Sequence, residues 1–271
     1  MYGGRSSLRQ TCSMHLTPAQ IESYHTNGYL CPLDGFNAAE TERNRQAFDA
    51  LQERFVRDGH DSYAINGYHS SCRSIYDMAM QPAILDAVES LIGPNFIAWG
   101  THFFCKLPGD PKSVTWHQDG PYWPLAPMRT ITAWIAIDDV DEENSALRVI
   151  PGSHHHGPLK MRPSRPEEGN VLHMTLDGPA VEANPASIIL RAGQFSLHSD
   201  VMIHGSLPNR SSRRRCGLTV RYAPVDVRAT DPGWHTNALR CRGTDPSGHW
   251  QYQDIPTGEN PRHGQRIIGA N

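Results

Sequence analysis

The sequence has no long apolar run. No stretch of its 271 residues approaches the roughly 18 apolar positions that span a bilayer. The polar Met1 to Ser13 also lacks the apolar core of a secretion signal. The expectation is a soluble, cytoplasmic protein with no membrane partner. An excess of one charge is absent too: the net charge is −3, with both signs mixed along the chain, so nothing favours nucleic acid as a partner. A small molecule is the expected partner, and no feature speaks to oligomeric state. Cysteine pairs at C-x-x-C spacing are missing. Cys12, Cys31, Cys72, Cys105, Cys216 and Cys241 are scattered, and are expected as reduced thiols, forming neither a zinc knuckle nor a disulfide scaffold. No internal repeat appears, and a chain of this length can bury one core, so residues 1–271 are read as a single domain.

What is present falls into two textures. Residues 1–95 are mainly helical. Thr17-Pro18-Ala19-Gln20 reads as a capping box with proline at the first helical position, and the helix should end near Gly28. Asn37 with Glu40 caps a longer helix that places Phe48, Leu51 and Phe55 on one face and stops at Gly59. Pro82 opens a third, with an apolar stripe of Ile84, Leu85, Val88, Leu91 and Ile92 closed by Gly93-Pro94. Between them, residues 60–75 show no clear period and form either a surface loop or a substrate lid, with Tyr63 to Arg73 as its centre. From Phe96 the texture changes to short β-rich runs: Phe96 to Phe104, Ser113 to Trp116, Thr130 to Ile137, Ala146 to Ile150, Ala186 to Leu190, Gln194 to His198 and Gly217 to Tyr222. A mainly β fold with flanking helices follows, with residues 96–224 as a cupin-like jelly roll, or double-stranded β-helix. Lys160 to Glu182 reads as a polar insertion, and 225–271 as a tail of undefined fold.

The chemistry concentrates in Trp116-His117-Gln118-Asp119-Gly120-Pro121-Tyr122-Trp123. On an extended strand His117 and Asp119 point to the same face. An isolated H-x-D is weak in a chain with 15 histidines. It gains weight from His204, which ends the apolar run Val201-Met202-Ile203 and can join the pair from a neighbouring strand of a jelly roll. Two imidazoles and one carboxylate suit Fe(II) and leave three octahedral positions open, enough for a bidentate 2-oxo acid and O2. Arg215, with Ser206, can hold the far carboxylate of 2-oxoglutarate, because the guanidinium fork matches a carboxylate. Arg213 and Arg214 read as solvated turn residues.

The stretches W-H-Q-D-G-P-Y-W-P-L, E-N-S-A-L-R-V-I-P-G-S-H and H-G-S-L-P-N-R-S-S-R-R-R resemble the phytanoyl-CoA dioxygenase (PhyH) family of Fe(II)/2-oxoglutarate oxygenases. The similarity runs from about Leu16 to Pro224. It implies a double-stranded β-helix with iron on His117, Asp119 and His204, and 2-oxoglutarate on Arg215 and Ser206. It also implies that Trp134 and Phe103 line the cosubstrate. Iron halogenases of the family have a small residue in place of the aspartate; Asp119 is present here, so hydroxylation or a related oxidation is implied. Within the family the chain is most similar to bacterial enzymes of small molecules, some acting on natural products or aminoalkylphosphonates.

The expected activity is hydroxylation of a small polar or anionic molecule, with release of succinate and CO2. Tyr122 and Trp123 are candidate pocket walls. Tyr63, Asn66, Tyr68, His69 and Arg73 are candidates on the lid, and Arg129, Arg148 and Lys106 candidate readers of an anionic group. His154-His155-His156 reads as an exposed loop. Two alternatives are a cupin-like metal hydrolase or isomerase, which has no need of an arginine placed for a dicarboxylate, and a non-catalytic β-barrel binding protein.

Overall fold

The computed structural model describes residues 15–178 and 184–261. Cys12 with the rest of the polar start, the end of the Lys160 to Glu182 insertion and the last part of the tail lie outside them. Helix α1 (Pro18–Asn27) begins at the expected capping box: Gln20 N donates to Thr17 Oγ1, and Thr17 N to Gln20 Oε1 at 2.9 Å. Strand β1 (Tyr29–Asp34) follows, then α2 (Ala38–Arg57), capped by Asn37 and Glu40 in the same reciprocal way. Helices α3 (Arg73–Ala79) and α4 (Pro82–Ile92) complete the helical part. Helix α3 was not expected; it is short, and it starts inside the candidate lid.

The strands are β2 (Phe96–Lys106), β3 (Val114–His117), β4 (Leu125–Ala126), β5 (Ile131–Ala136) and β6 (Leu147–Val149). Then come β7 (Met161–Pro163) and β8 (Met174–Leu176), a ribbon within the insertion. Last are β9 (Ala186–Ile188), β10 (Gln194–Ser199), β11 (His204–Ser206), β12 (Arg215–Pro224), β13 (Arg228–Ala229) and β14 (Leu239–Arg242). Every expected strand is among them. A six-stranded sheet, β1-β10-β5-β12-β2-β14, lies over a four-stranded one, β3-β11-β6-β9, and the pairings within both are antiparallel. This is the jelly roll, or double-stranded β-helix. The tail is not formless: β14 extends the large sheet at β2, and Trp250 is buried with its indole N–H on Val227 O.

Strand alternation divides the large sheet into two faces. On β12, Cys216, Leu218, Val220 and Tyr222 point outward into the main core, where Phe48, Leu51 and Phe55 of α2 and Ile84, Leu85 and Val88 of α4 cover them. Phe48 meets Phe103 at 4.8 Å between ring centroids. Burying each such side chain contributes about 1.5–3 kcal/mol, so the helices fix the sheet from outside. The alternate residues of β12 point between the two sheets.

Candidate active site

Strand β3 ends at His117 and β11 begins at His204, and the two are register partners. Gly205 makes that pairing possible: a Cβ there would lie 2.7 Å from the Val114 carbonyl oxygen, and would push β11 away. The imidazole centroids are 4.1 Å apart. Nδ1 of His117 lies 2.9 Å from Thr115 O, and Nδ1 of His204 lies 3.0 Å from Met202 O. A carbonyl only accepts, so both Nδ1 atoms carry the proton and both Nε2 atoms present a lone pair.

Asp119 is not on an extended strand. Its backbone has turned to φ −72°, ψ −44° at the head of the 3-10 turn Gly120–Tyr122. The turn nevertheless brings Oδ1 to 3.6 Å from His117 Nε2 and 3.7 Å from His204 Nε2. Thr132 Oγ1 donates to Oδ2 at 3.2 Å. Gln118 points the other way and braces Gly157 O, Val201 O and Leu159 N. Burial would raise the Asp119 pKa, but His204, His117 and His198 hold it well below the usual carboxylate range. Burial, then the neighbouring His117, push His204 well below the usual histidine range. An anion and two imidazole lone pairs therefore converge, with the three ligand atoms all within 4.8 Å of one another. This donor set fits ferrous iron, and among the described residues no other group of His, Cys, Asp or Glu forms such a cluster.

The triad opens into a pocket lined by both polar and apolar side chains. Arg215 lines it and is almost fully buried. Its Nε donates to Ser145 O at 2.8 Å, and its Nη2 lies 3.1 Å from Ser206 Oγ; its cation sits 5.6 Å from the Trp134 ring centroid. All its hydrogen-bond partners are neutral oxygens, so the guanidinium has no carboxylate among the described residues. Ser145 holds this arginine from an unusual backbone: among the described residues it is the one non-glycine at positive φ, 77°. Asn144 fixes that turn by accepting from Asp141 N and donating to Asp139 O. Gly217 leaves room for the Trp134 indole, since a Cβ would lie 2.0 Å from its ring.

The pocket gathers His117, Asp119, His204, Ser206, Arg215, Trp134, Tyr122 and Trp123. The remaining expected site residues do not line it. Phe103 points into the outer core, and its strand neighbours His102 and Phe104 face the pocket instead. The 60–75 segment is docked on β2 and does not hang free as a lid: Gly67 N donates to Thr101 O, Phe103 N to Ile65 O, and Asn66 bridges His102. Tyr68 packs on Phe55, His69 bonds Thr101 Oγ1 and Asn237 O, and Tyr63 donates its hydroxyl to Asp110. Arg73 and Arg129 are exposed and paired with Asp77 and Asp226. Arg148 lies over the Trp116 ring, and the buried Lys106 donates to Leu207 O. The wall opposite comes from the insertion: Leu172 lines the pocket, and Tyr122 donates its hydroxyl to Met174 O at 2.6 Å.

Eight pocket residues were not anticipated: the apolar Phe104, Val114, Leu147 and Leu172, and the polar His102, His198, Thr219 and Arg221. His198 is buried 3.8 Å from Asp119 Oδ2. Arg221 was legible in principle, because it lies three alternations along one strand from Arg215 and so shares its face.

Fold and site together define a non-haem iron oxygenase that uses 2-oxoglutarate and O2. The chain belongs to the phytanoyl-CoA dioxygenase (PhyH) family, whose model matches residues 24–217. Human peroxisomal phytanoyl-CoA dioxygenase is 26% identical over 80% of this chain and 71% of its own. A probable alpha-ketoglutarate-dependent hypophosphite dioxygenase of Stutzerimonas stutzeri is 28% identical over 57% of this chain and 54% of its own. The solved structure of the non-heme monooxygenase ThoJ in its apo form is 28% identical, with a TM-score of 0.78 and 89% of both chains covered. The protein is thus an Fe(II)- and 2-oxoglutarate-dependent dioxygenase that hydroxylates a small molecule. No helix among the described residues is long and apolar enough to cross a membrane.

Proposed function

We propose that this dioxygenase works in the cytoplasm, in one domain, on a small polar or anionic molecule such as a natural-product intermediate or an aminoalkylphosphonate-like compound, and on neither nucleic acid nor membrane lipid. His117, Asp119 and His204 hold the iron. Arg215 and Ser206 take the far carboxylate of 2-oxoglutarate, with Trp134 beside them. When bound, iron, 2-oxoglutarate and O2 supply the oxidant that hydroxylates substrate, and the cosubstrate leaves as succinate and CO2.

The rest is the work of this chain. The backbone carbonyls of Thr115 and Met202 fix the tautomer of the two histidines, and Thr132 orients the carboxylate between them. Tyr122, Trp123, Phe104 and Leu172 wall the pocket and exclude water. The observation that carries the reading is Arg215: a buried guanidinium with neutral partners, in the same pocket as the triad, is a site waiting for a carboxylate. A metal hydrolase or isomerase has no use for it. A substrate screen coupled to succinate release tests the proposal; no succinate formed under any condition, with no Fe(II)/2-oxoglutarate absorption band, would refute it.

A further inference from the structure

Besides Arg215, the pocket contains a second buried arginine that iron and 2-oxoglutarate do not use. Arg221 is 7% exposed, yet its guanidinium has no hydrogen bond or ion pair to any described residue, and its Nε is fully buried without a partner. Its charge is held between two indoles, 5.6 Å from the Trp99 ring centroid and 5.2 Å from that of Trp123. The two rings themselves meet edge to face at 4.7 Å. Opposite it on β2 is Gly100, whose missing side chain leaves space: a Cβ there would touch the arginine at 3.4 Å. A bare guanidinium so enclosed costs free energy unless something pairs with it.

Position sets Arg221 apart from the anchor for the far carboxylate of 2-oxoglutarate. Arg215 and Arg221 are six residues apart on one face of β12, which separates their Cα atoms by about 20 Å at the rise of a strand. A five-carbon dicarboxylate spends its far carboxylate at Arg215 and its near end at the triad, and the charge of the chain that acts on Arg221 is that of Asp119. The charge count agrees. Ferrous iron and the two arginines bring four positive charges, whereas Asp119 and the 2-oxoglutarate dianion bring three negative ones. Of the lining histidines, His102 adds no charge: burial, then Arg221 itself, push it down to about 3, so it is neutral at pH 7. One negative charge is missing from the loaded pocket.

We propose that Arg221, clamped between Trp99 and Trp123, binds an oxyanion of the substrate, a carboxylate or a phosphoryl group, and thereby selects anionic substrates. This deepens the proposed function and rests on it. The guanidinium fork matches either oxyanion. The indoles hold the fork by cation–π contact without neutralising it.

The test uses the anaerobic holoenzyme with Fe(II) and 2-oxoglutarate, whose visible absorption band is recorded in the same sample. Acetate, methylphosphonate and the neutral acetamide are then titrated in turn, and the fluorescence of Trp99 and Trp123 is followed. At least one oxyanion should bind tenfold or more tighter than acetamide, and which of the two does so tells carboxylate from phosphoryl. Arg221→Met should abolish that preference, and Arg221→Lys should keep part of it, while both retain the absorption band and the wild-type affinity for 2-oxoglutarate. If the band forms but the oxyanions bind no better than acetamide, or if Arg221→Met keeps the preference, the assignment of Arg221 is overturned and the oxygenase reading stands. If Arg221→Met instead weakens Fe(II) binding and leaves the preference intact, Arg221 is a counter-charge for Asp119 and the proposal fails. A missing band overturns both readings.

Discussion

Arg215→Met separates a ligand anchor from a structural arginine. In the folded chain the guanidinium contacts only neutral oxygens: Ser145 O at 2.8 Å, Ser145 Oγ at 3.4 Å, Ser206 Oγ at 3.1 Å and Phe104 O at 3.4 Å. Its full charge is therefore free for the cosubstrate. Truncating one partner of a buried, hydrogen-bonded charge pair costs about 2–5 kcal/mol, or roughly 30-fold to several thousand-fold in affinity. Ser206 remains to donate one hydrogen bond to the stranded carboxylate, which places the loss near the lower middle, at about a hundredfold for 2-oxoglutarate. Stability should move much less. Losing the partner of Ser145 O costs about 1–3 kcal/mol, but removing a buried charge with no carboxylate beside it returns a comparable desolvation penalty. The assay is an anaerobic titration of the Fe(II) protein with 2-oxoglutarate, read by the visible charge-transfer band, next to a denaturant melt. A 2-oxoglutarate affinity within threefold of wild type would refute the reasoning, as would a large loss of stability that accounts for the weakened binding.

Three further outcomes follow from the geometry. Asp119→Ala should abolish the charge-transfer band and the rise in melting temperature that Fe(II) or Ni(II) gives the wild type, since a metal at a hundred times its dissociation constant stabilises by about 2.7 kcal/mol; an unchanged metal shift would move the site elsewhere. Gly205→Ala should weaken metal binding at least tenfold while leaving most of the fold intact, because its Cβ would meet Val114 O at 2.7 Å and drive His204 off its partner strand; unaltered metal affinity would show that β11 has slack. His69 should set part of the acid limb of stability: burial holds its pKa down to about 4, with Nε2–H on Asn237 O. The unfolded chain then binds a proton below about 6.5 that the fold refuses, so stability is lost as pH falls from about 6.5 toward 4, by about 2 kcal/mol between pH 7 and 5. His69→Gln should flatten that slope in urea melts at the two pH values.

The parts of the site written in sequence-local patterns were legible. His117 and Asp119 are two residues apart, and capping boxes at Thr17 and Asn37 announce their helices without tertiary help. What depends on which segment docks where was not. The 60–75 stretch looked like a lid because it has no period, but aperiodic residues also fill a groove, and Ile65, Tyr68 and His69 are each buried against β2 or α2. Conversely, the insertion looked like a solvated excursion, yet its β7–β8 ribbon returns Leu172 to the pocket and Met174 O to the Tyr122 hydroxyl. Of the charged candidates, Arg73 and Arg129 each have a carboxylate at hand on the surface, whereas Arg148 lies over Trp116 and Lys106 donates to Leu207 O. An arginine that already has a partner is a poor reader of substrate.

That contrast sets Arg215 apart within the run Arg213-Arg214-Arg215. Arg213 is paired with Asp141 and Glu143 in solvent, and Arg214 with Asp138 and Asp49 at the sheet edge. Arg215 is the first residue of β12 whose side chain faces inward, and from there the period of two places Gly217, Thr219 and Arg221 on the same face. Each of the four has a separate use of that face. Arg215 is the proposed anchor of the cosubstrate, Gly217 admits Trp134 beside it, Thr219 ties the strand to His102 O, and Arg221 is left bare between two indoles. Charge alone did not distinguish these arginines in the sequence; register did. Once one inward position of a strand is anchored by chemistry, the others are no longer free to be surface residues, and an unpaired cation among them is evidence of an anion that is not part of the chain.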